Sequence, residues 1–335
     1  MSQTPSALFR VDWCGAGASV QDAGRFGLQR YGVSPAGAMD REALALANAL
    51  VGNPAGMAAI ECPLAGFAGR VEEGRVLVAA AGGGSELSIA GRKLSPFTSD
   101  FAERGEIVTL GPARSGVFAY LAFGGGILSP PELGSLSVHR RSGIGGAPLR
   151  PGDVLPLGDA PVRARRLSRS PDAPKGPIRI VPGPQDDHAG AAALALLTSS
   201  GFTISSQADR MGVRLDGPKV TPAGGHDIVS DGIATGAIQL PGDGRPIVLL
   251  RDRQTTGGYP KIATVISADI GRFAQLQQGS AVRFTIVSRA EAIAAARAAA
   301  DRIDGFAAAM TVANAILDAE LLLSLNLIDG VTAGQ

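Results

Sequence analysis

Arg75-Val76-Leu77-Val78-Ala79-Ala80-Ala81 runs into Gly82-Gly83-Gly84, and Val117-Phe118-Ala119-Tyr120-Leu121-Ala122-Phe123 runs into Gly124-Gly125-Gly126. Both stretches are apolar at consecutive positions and stop at chain breakers. That pattern predicts short interior strands covered on both faces. Working outward, a Gly turn, a small or acidic residue and an alternating strand recur at Gly105–Leu110, Gly152–Leu157 and Gly279–Phe284. Repeated short strands set off by glycine suit barrel edges better than a layered α/β fold. The expected class is mainly β.

Composition agrees. Glycine accounts for 46 of 335 residues, about twice the typical ~7%, without a collagen period. Apolar residues make up 45% and charged residues 18%, enough to bury a core and to exclude wholesale disorder. The net charge of +1 argues against a nucleic-acid or acidic-lipid binder that works by bulk charge. Arg10 and Asp12 fall where a signal peptide needs apolar residues, and no apolar run is long enough to span a membrane. Cys14 and Cys62 are the only cysteines, too few for a disulfide framework or a cysteine-rich metal site. A cytoplasmic protein is expected.

Helices are few. One is predicted from Asp40 to Val51, with Asp40 as N-cap and Gly52 past the end. Two more are expected near Asp187–Leu197 and Asp269–Gln277. An alanine-rich, proline-free stretch from residue 289 to 325 predicts a helical tail, whose Leu321, Leu322, Leu323, Leu325 and Leu327 need cover. The basic, proline-containing stretch at residues 159–177 reads as an exposed linker, or alternatively as a phosphate-binding arm.

Chemistry concentrates in Asp252-Arg253-Gln254-Thr255-Thr256-Gly257-Gly258-Tyr259-Pro260-Lys261. The glycine pair lets backbone approach a ligand closely, and flanking apolar runs would present the loop on a rigid sheet. Upstream, Asp231 is a candidate general acid or base, a donor-orienting group, or a satisfied turn carboxylate. Gln239 closes the same apolar turn. Arg210 suits a carboxylate or phosphate, or a structural ion pair. Asn48, on the face of the first helix that should be buried, needs either backbone or ligand partners. Glu61 interrupts an apolar run and invites a buried arginine. His139, His188 and His226 lack metal-ligand spacing. No P-loop, dinucleotide fingerprint or Gly-x-Ser-x-Gly elbow occurs.

Taken together, several stretches resemble the biotin-dependent carboxyltransferase family. They are Val20–Arg25, Gly37-Ala38-Met39-Asp40, Ala47-Asn48, Leu50–Asn53, Ile60-Glu61, Tyr120–Ala122 with Gly125–Ile127, Val181-Pro182-Gly183-Pro184, Asp209-Arg210-Met211-Gly212 and Gln254–Lys261. The family includes the third subunit of ATP-dependent 5-oxoprolinase, allophanate hydrolase subunit 2 and a domain of urea amidolyase. Ala189, Ala208 and Val138 depart from its usual residues. The resemblance implies two tandem cyclophilin-like β-barrel domains, at residues 1–165 and 178–288, joined by a linker at 166–177 and followed by the helical tail at 289–335.

The resemblance further implies a subunit of an ATP-dependent 5-oxoprolinase, hydrolysing 5-oxo-L-proline to L-glutamate and active only in complex. One partner would be a subunit-1 homologue, of the kind found as the second 5-oxoprolinase component or as allophanate hydrolase subunit 1. The other would be a lactam-utilisation-type 5-oxoprolinase component. ATP would be bound by the complex. One alternative is a biotin-dependent carboxyltransferase acting on urea or a related amide, with biotin carried by another protein. Another is a regulatory partner of a kinase-inhibitor-type subunit-1 homologue. In the first reading Asp231, Lys261 and Thr256 are the candidate catalytic residues. Arg210, Gln239, Gln254, Thr255, Tyr259 and Asn48 are the candidate substrate contacts, and no metal is expected.

Overall fold

The computed structural model describes residues 4–313 apart from 162, 170, 172 and 173. In the first half, a six-stranded and a five-stranded sheet face each other. The larger runs in the order Val154–Leu157, Ala7–Cys14, Phe67–Glu73, Ile107–Leu110, Leu87–Ile89, Arg92–Lys93. The smaller runs Ser19–Gln21, Ala59–Pro63, Phe118–Phe123, Arg75–Gly82, Asp100–Glu103. The two glycine-bounded strands read from sequence lie side by side within it. All of Phe118–Phe123 is buried because alternate side chains enter different cores. Ala119, Leu121 and Phe123 pack between the sheets with Phe9 and Phe67, whereas Phe118, Tyr120 and Ala122 meet helix α1, Arg41–Leu50. Asp40 caps α1 by accepting from the Ala43 amide, as the sequence predicts.

The second half is one eight-stranded sheet, ordered Ala281–Val282, Phe202–Ala208, Gly212–Asp216, Ile247–Leu249, Ala237–Gln239, Lys261–Val265, Ile178–Pro182, Phe284–Ile286. Its two edge strands are separated in sequence by Arg283 alone, so the sheet is all but closed into a barrel. The mainly-β, two-barrel expectation therefore holds.

Helical details differ from the sequence reading. The expected helix over 187–197 is two, α2 (Asp186–Ala189) and α3 (Ala191–Ser199), broken where Gly190 takes φ 86°. The expected helix near 269–277 is shorter, α4 (Ile270–Ala274), entered through a 3-10 turn. The tail helix α5 spans Arg289–Ala309 behind a capping box between Ser288 and Glu291. Beyond it, Met310–Val312 forms a strand that pairs antiparallel with Arg165–Leu167, at the start of the expected linker. The tail leucines lie outside the described residues. Phe306 of α5 is buried, and Arg302 reaches Glu42 of α1 at 2.6 Å.

One guanidinium joins the halves. Arg210, on the turn between Phe202–Ala208 and Gly212–Asp216, donates from Nε and Nη2 to Asp252 at 2.9 Å each. It also donates to Glu61, to the Gly37 carbonyl at 2.8 Å and to Gln21 Oε1 at 3.3 Å. Glu61 additionally accepts from the Tyr120 hydroxyl at 2.7 Å and the Met39 amide at 2.9 Å. Burial alone would lower the Arg210 pKa, but Glu61 and Asp252 outweigh it and raise it. The same surroundings raise the Tyr120 phenol well above its ordinary value, through burial first and the Glu61 charge second.

Two stability outcomes follow. Arg210→Met strands Glu61 and Asp252 in the interior and should cost about 3–5 kcal/mol, read from urea denaturation. Arg210→Lys should recover only part, because an ammonium cannot reproduce the fork. Phe306→Ala should cost about 3 kcal/mol if α5 is integral to the core. A loss below about 0.5 kcal/mol would place the helix outside the core, since changes of that size are typical of surface substitutions.

Candidate functional site

Two short pairings fix the polar loop Asp252–Lys261. Asp231–Gly232 pairs antiparallel with Thr256–Gly257, which folds the upstream turn onto the loop. Lys261 then opens the strand Lys261–Val265, with Gln239 as its neighbour in register. Lys261 is 1% exposed, and its Nζ lies 3.1 Å from Asp231 Oδ2. This ammonium, with help from the Gly232 amide and Gln185, holds the Asp231 carboxyl below its ordinary pKa.

Gln185 is one residue the sequence reading missed. Its Nε2 donates to Asp231 Oδ2 at 3.1 Å, and its Oε1 accepts from the Lys261 amide at 3.1 Å. It therefore fixes both members of the ion pair. The signal was available in Pro182-Gly183-Pro184, directly before it. A Cβ on Gly183 would sit 2.1 Å from the Lys261 carbonyl oxygen, so only glycine lets the strands approach this closely. Gly257 is constrained likewise, since a Cβ there would meet Ile233 at 2.8 Å and the Gln239 amide at 3.0 Å.

Open donors and acceptors lie on the same loop and on the strand beside it. Gln239 is buried, yet its Nε2 has no partner among the described residues. No hydrogen bond within the described residues engages the side chains of Gln254, Thr255, Thr256 or Tyr259, of which Gln254, Thr256 and Tyr259 are exposed. The loop and the segments paired with it thus carry a buried cation, a paired carboxylate, amides and hydroxyls. Such a set can bind a neutral amide that also carries an anionic group.

The first half completes the frame, through a second signal the sequence reading missed. Gln29, in the 3-10 turn Gln29–Tyr31, donates to the Ile233 carbonyl at 2.8 Å and accepts from Arg253 at 3.1 Å. Ser34 donates to the Arg253 carbonyl. Arg253 is buried at this seam, and burial lowers its pKa to about 10.

Two candidates lie elsewhere. Arg210 spends its donors on protein acceptors in the clamp between the halves, so it positions the loop through Asp252 rather than offering a free fork. Asn48 is fully buried. Its amide donates to the Met57 carbonyl at 2.7 Å and the Ala55 carbonyl at 3.3 Å, and its oxygen accepts from Asn53. Neighbouring protein groups satisfy it, and its work is to close the turn after α1. Among the described residues no group of His, Cys, Asp and Glu could hold a metal, and no helix is long and apolar enough to cross a membrane.

Comparison with known proteins places this geometry. The chain matches the carboxyltransferase domain family, subdomains A and B, over residues 31–286. It is 35% identical to the C component of 5-oxoprolinase from Escherichia coli, over 86% of this chain and 94% of that protein. It is 34% identical to the corresponding 5-oxoprolinase component of Haemophilus influenzae, over 82% and 90% respectively. The crystal structure of Kluyveromyces lactis urea amidolyase superposes with a TM-score of 0.81 at 27% identity, over 91% of this chain and 20% of that one. This chain spans 20% of that urea amidolyase and 57% of another solved chain that it superposes on, from the crystal structure of TTHA0988. With the match covering most of its length and the 5-oxoprolinase relatives covered nearly end to end, this chain belongs to the carboxyltransferase domain A and B family.

Proposed function

We propose that this protein is a subunit of an ATP-dependent 5-oxoprolinase, contributing the site at which 5-oxo-L-proline is held while its ring amide is opened to L-glutamate. What carries the reading is coverage: the two bacterial 5-oxoprolinase components are matched over 90–94% of their length, whereas urea amidolyase is matched over 17%. The site chemistry supports it. A lactam is resonance-stabilised, so water attacks its carbonyl carbon readily only after the oxygen has been phosphorylated by ATP. Attack gives a tetrahedral adduct whose collapse breaks the ring C–N bond, freeing the amine and leaving an acyl phosphate; a second water then releases phosphate and leaves the second carboxylate. In this scheme Lys261 holds the existing carboxylate, and Gln239, Gln254, Thr255 and Thr256 hydrogen-bond the amide. Tyr259 covers the ring. Asp231, held ionised by Lys261, serves better as an orienting charge than as a general acid. ATP would be bound by the complex away from this loop, with a subunit-1 homologue and a lactam-utilisation-type protein as partners.

The superposition on urea amidolyase favours one second reading, a carboxyltransferase acting on urea or a related amide. There the same amide-binding side chains would face the substrate, and biotin would arrive on another protein.

Two measurements test the first reading. The isolated chain should show no ATP hydrolysis stimulated by 5-oxoproline, and the reconstituted complex should show it; urea-stimulated turnover with a biotinylated partner would favour the second reading. In the complex, Lys261→Met should weaken apparent affinity for 5-oxoproline ten- to a hundredfold, from loss of a charge-assisted hydrogen bond of about 1.5–3 kcal/mol. Lys261→Arg should be milder. Thr256→Val should melt normally while activity falls. Full activity of Lys261→Met at low substrate, with an unchanged melt, removes Lys261 from the site.

A further inference from the structure

A sizeable concavity lies away from the amide site. It is a cleft of about 960 Å³ between α1, the Gly82–Glu86 turn, α4 and α5, within the size range of small-molecule sites. Its charges are unevenly matched. Arg251 lines it, with Nε buried and without a hydrogen-bond partner among the described residues. Arg41, the first residue of α1, opens onto the same cleft and forms no ion pair among the described residues. Ser85 Oγ, on the Gly-rich turn, is likewise buried and unpartnered among those residues.

The carboxylates nearby do not neutralise these arginines. Asp40 spends its oxygens on the Ala43 amide and Gln275. Glu42 is taken by Arg302, and Glu86 by Lys93 and Arg114. Asp304 is exposed on α5. Arg272, also on the wall, pairs with Asp269 at 3.1 Å. Burial, and next the repulsion from Arg41, lower the Arg251 pKa to about 10, with Arg210 and Arg253 adding to the repulsion. A desolvated guanidinium facing another cation is costly unless an anion joins them.

We propose that this cleft binds a phosphate-bearing small molecule, with Arg251 and Arg41 gripping the phosphoryl oxygens and Ser85 donating a third hydrogen bond. Two planar forks and a hydroxyl match a tetrahedral group with several acceptors. The α5 part of the lining is largely apolar, with Ala296, Ala299, Ala300 and Ile303. That favours an organic phosphate with a flat apolar portion, such as a nucleotide, over the inorganic ion. This site is separate from the amide site and does not depend on its reading.

The test uses the full chain with pyrophosphate and ATP as probes, succinate as a dicarboxylate control, and sodium chloride at matched ionic strength. Both phosphate probes should raise the melting temperature and bind in calorimetry, ATP more tightly, with succinate and chloride ineffective. Arg41→Gln should melt like the parent and bind ATP at least tenfold more weakly. Arg251→Met should melt higher than the parent without ligand, since it removes an unpaired buried charge, and should lose the ATP response. The proposal is overturned if neither phosphate probe binds, or if succinate stabilises as strongly as pyrophosphate. It also fails if Arg41→Gln binds ATP like the parent, a comparison that stands even should Arg251→Met not fold.

Discussion

The Arg210 guanidinium is the constraint on which the arrangement depends. It spans the two halves, taking Glu61 and the Gly37 carbonyl from one and Asp252 from the other. A point charge could satisfy one carboxylate; a planar fork with five donors satisfies both and a carbonyl besides. Because Asp252 begins the polar loop, the clamp also fixes where that loop starts. On the other side Glu61 gathers Tyr120 and Met39, so the turn leading into α1 is set by the same group. Paired buried charges are weak sources of net stability, and breaking one is expensive. Here the clamp defines one relative placement of two barrels.

The candidate site inherits its geometry from that placement. Its side chains stand on the second barrel, yet Gln29 and Ser34 of the first hold Arg253 and the Ile233 carbonyl. Lys261 is buried with Asp231 as its escort, and Gln185 holds both. Removing the carboxylate would leave a desolvated ammonium, so the site is built by mutual dependence among three residues from separate strands and turns.

Much of this was legible in the linear chain, because its rules are local. Apolar runs bounded by glycine marked the central strands, the Asp40 cap marked α1, and the density of polar side chains marked the loop from Asp252 to Lys261. Glu61 announced a buried arginine partner by interrupting an apolar run. What was hidden depends on distant pairing. Gln185 and Gln29 are ordinary glutamines until the fold brings them to Asp231 and Arg253. Arg210 and Asn48 had the residue types of ligand contacts, and only tertiary structure shows that protein acceptors already occupy them. The break at Gly190 escaped a helical reading because alanine and leucine continue beyond it.

The last strand of the second barrel pairs directly with its first. Ile178–Pro182 lies parallel to Phe284–Ile286, and Val287 donates to the Ile180 carbonyl at 2.9 Å. From one side of that seam the backbone passes at once into α5; from the other it passes through Gly183 and Pro184 to Gln185. The wall of the large cleft and the residue that holds the Lys261–Asp231 pair are therefore mounted on adjacent backbone rails. The strand that runs into α5 and the strand that runs to Gln185 thus share one hydrogen-bonded ladder.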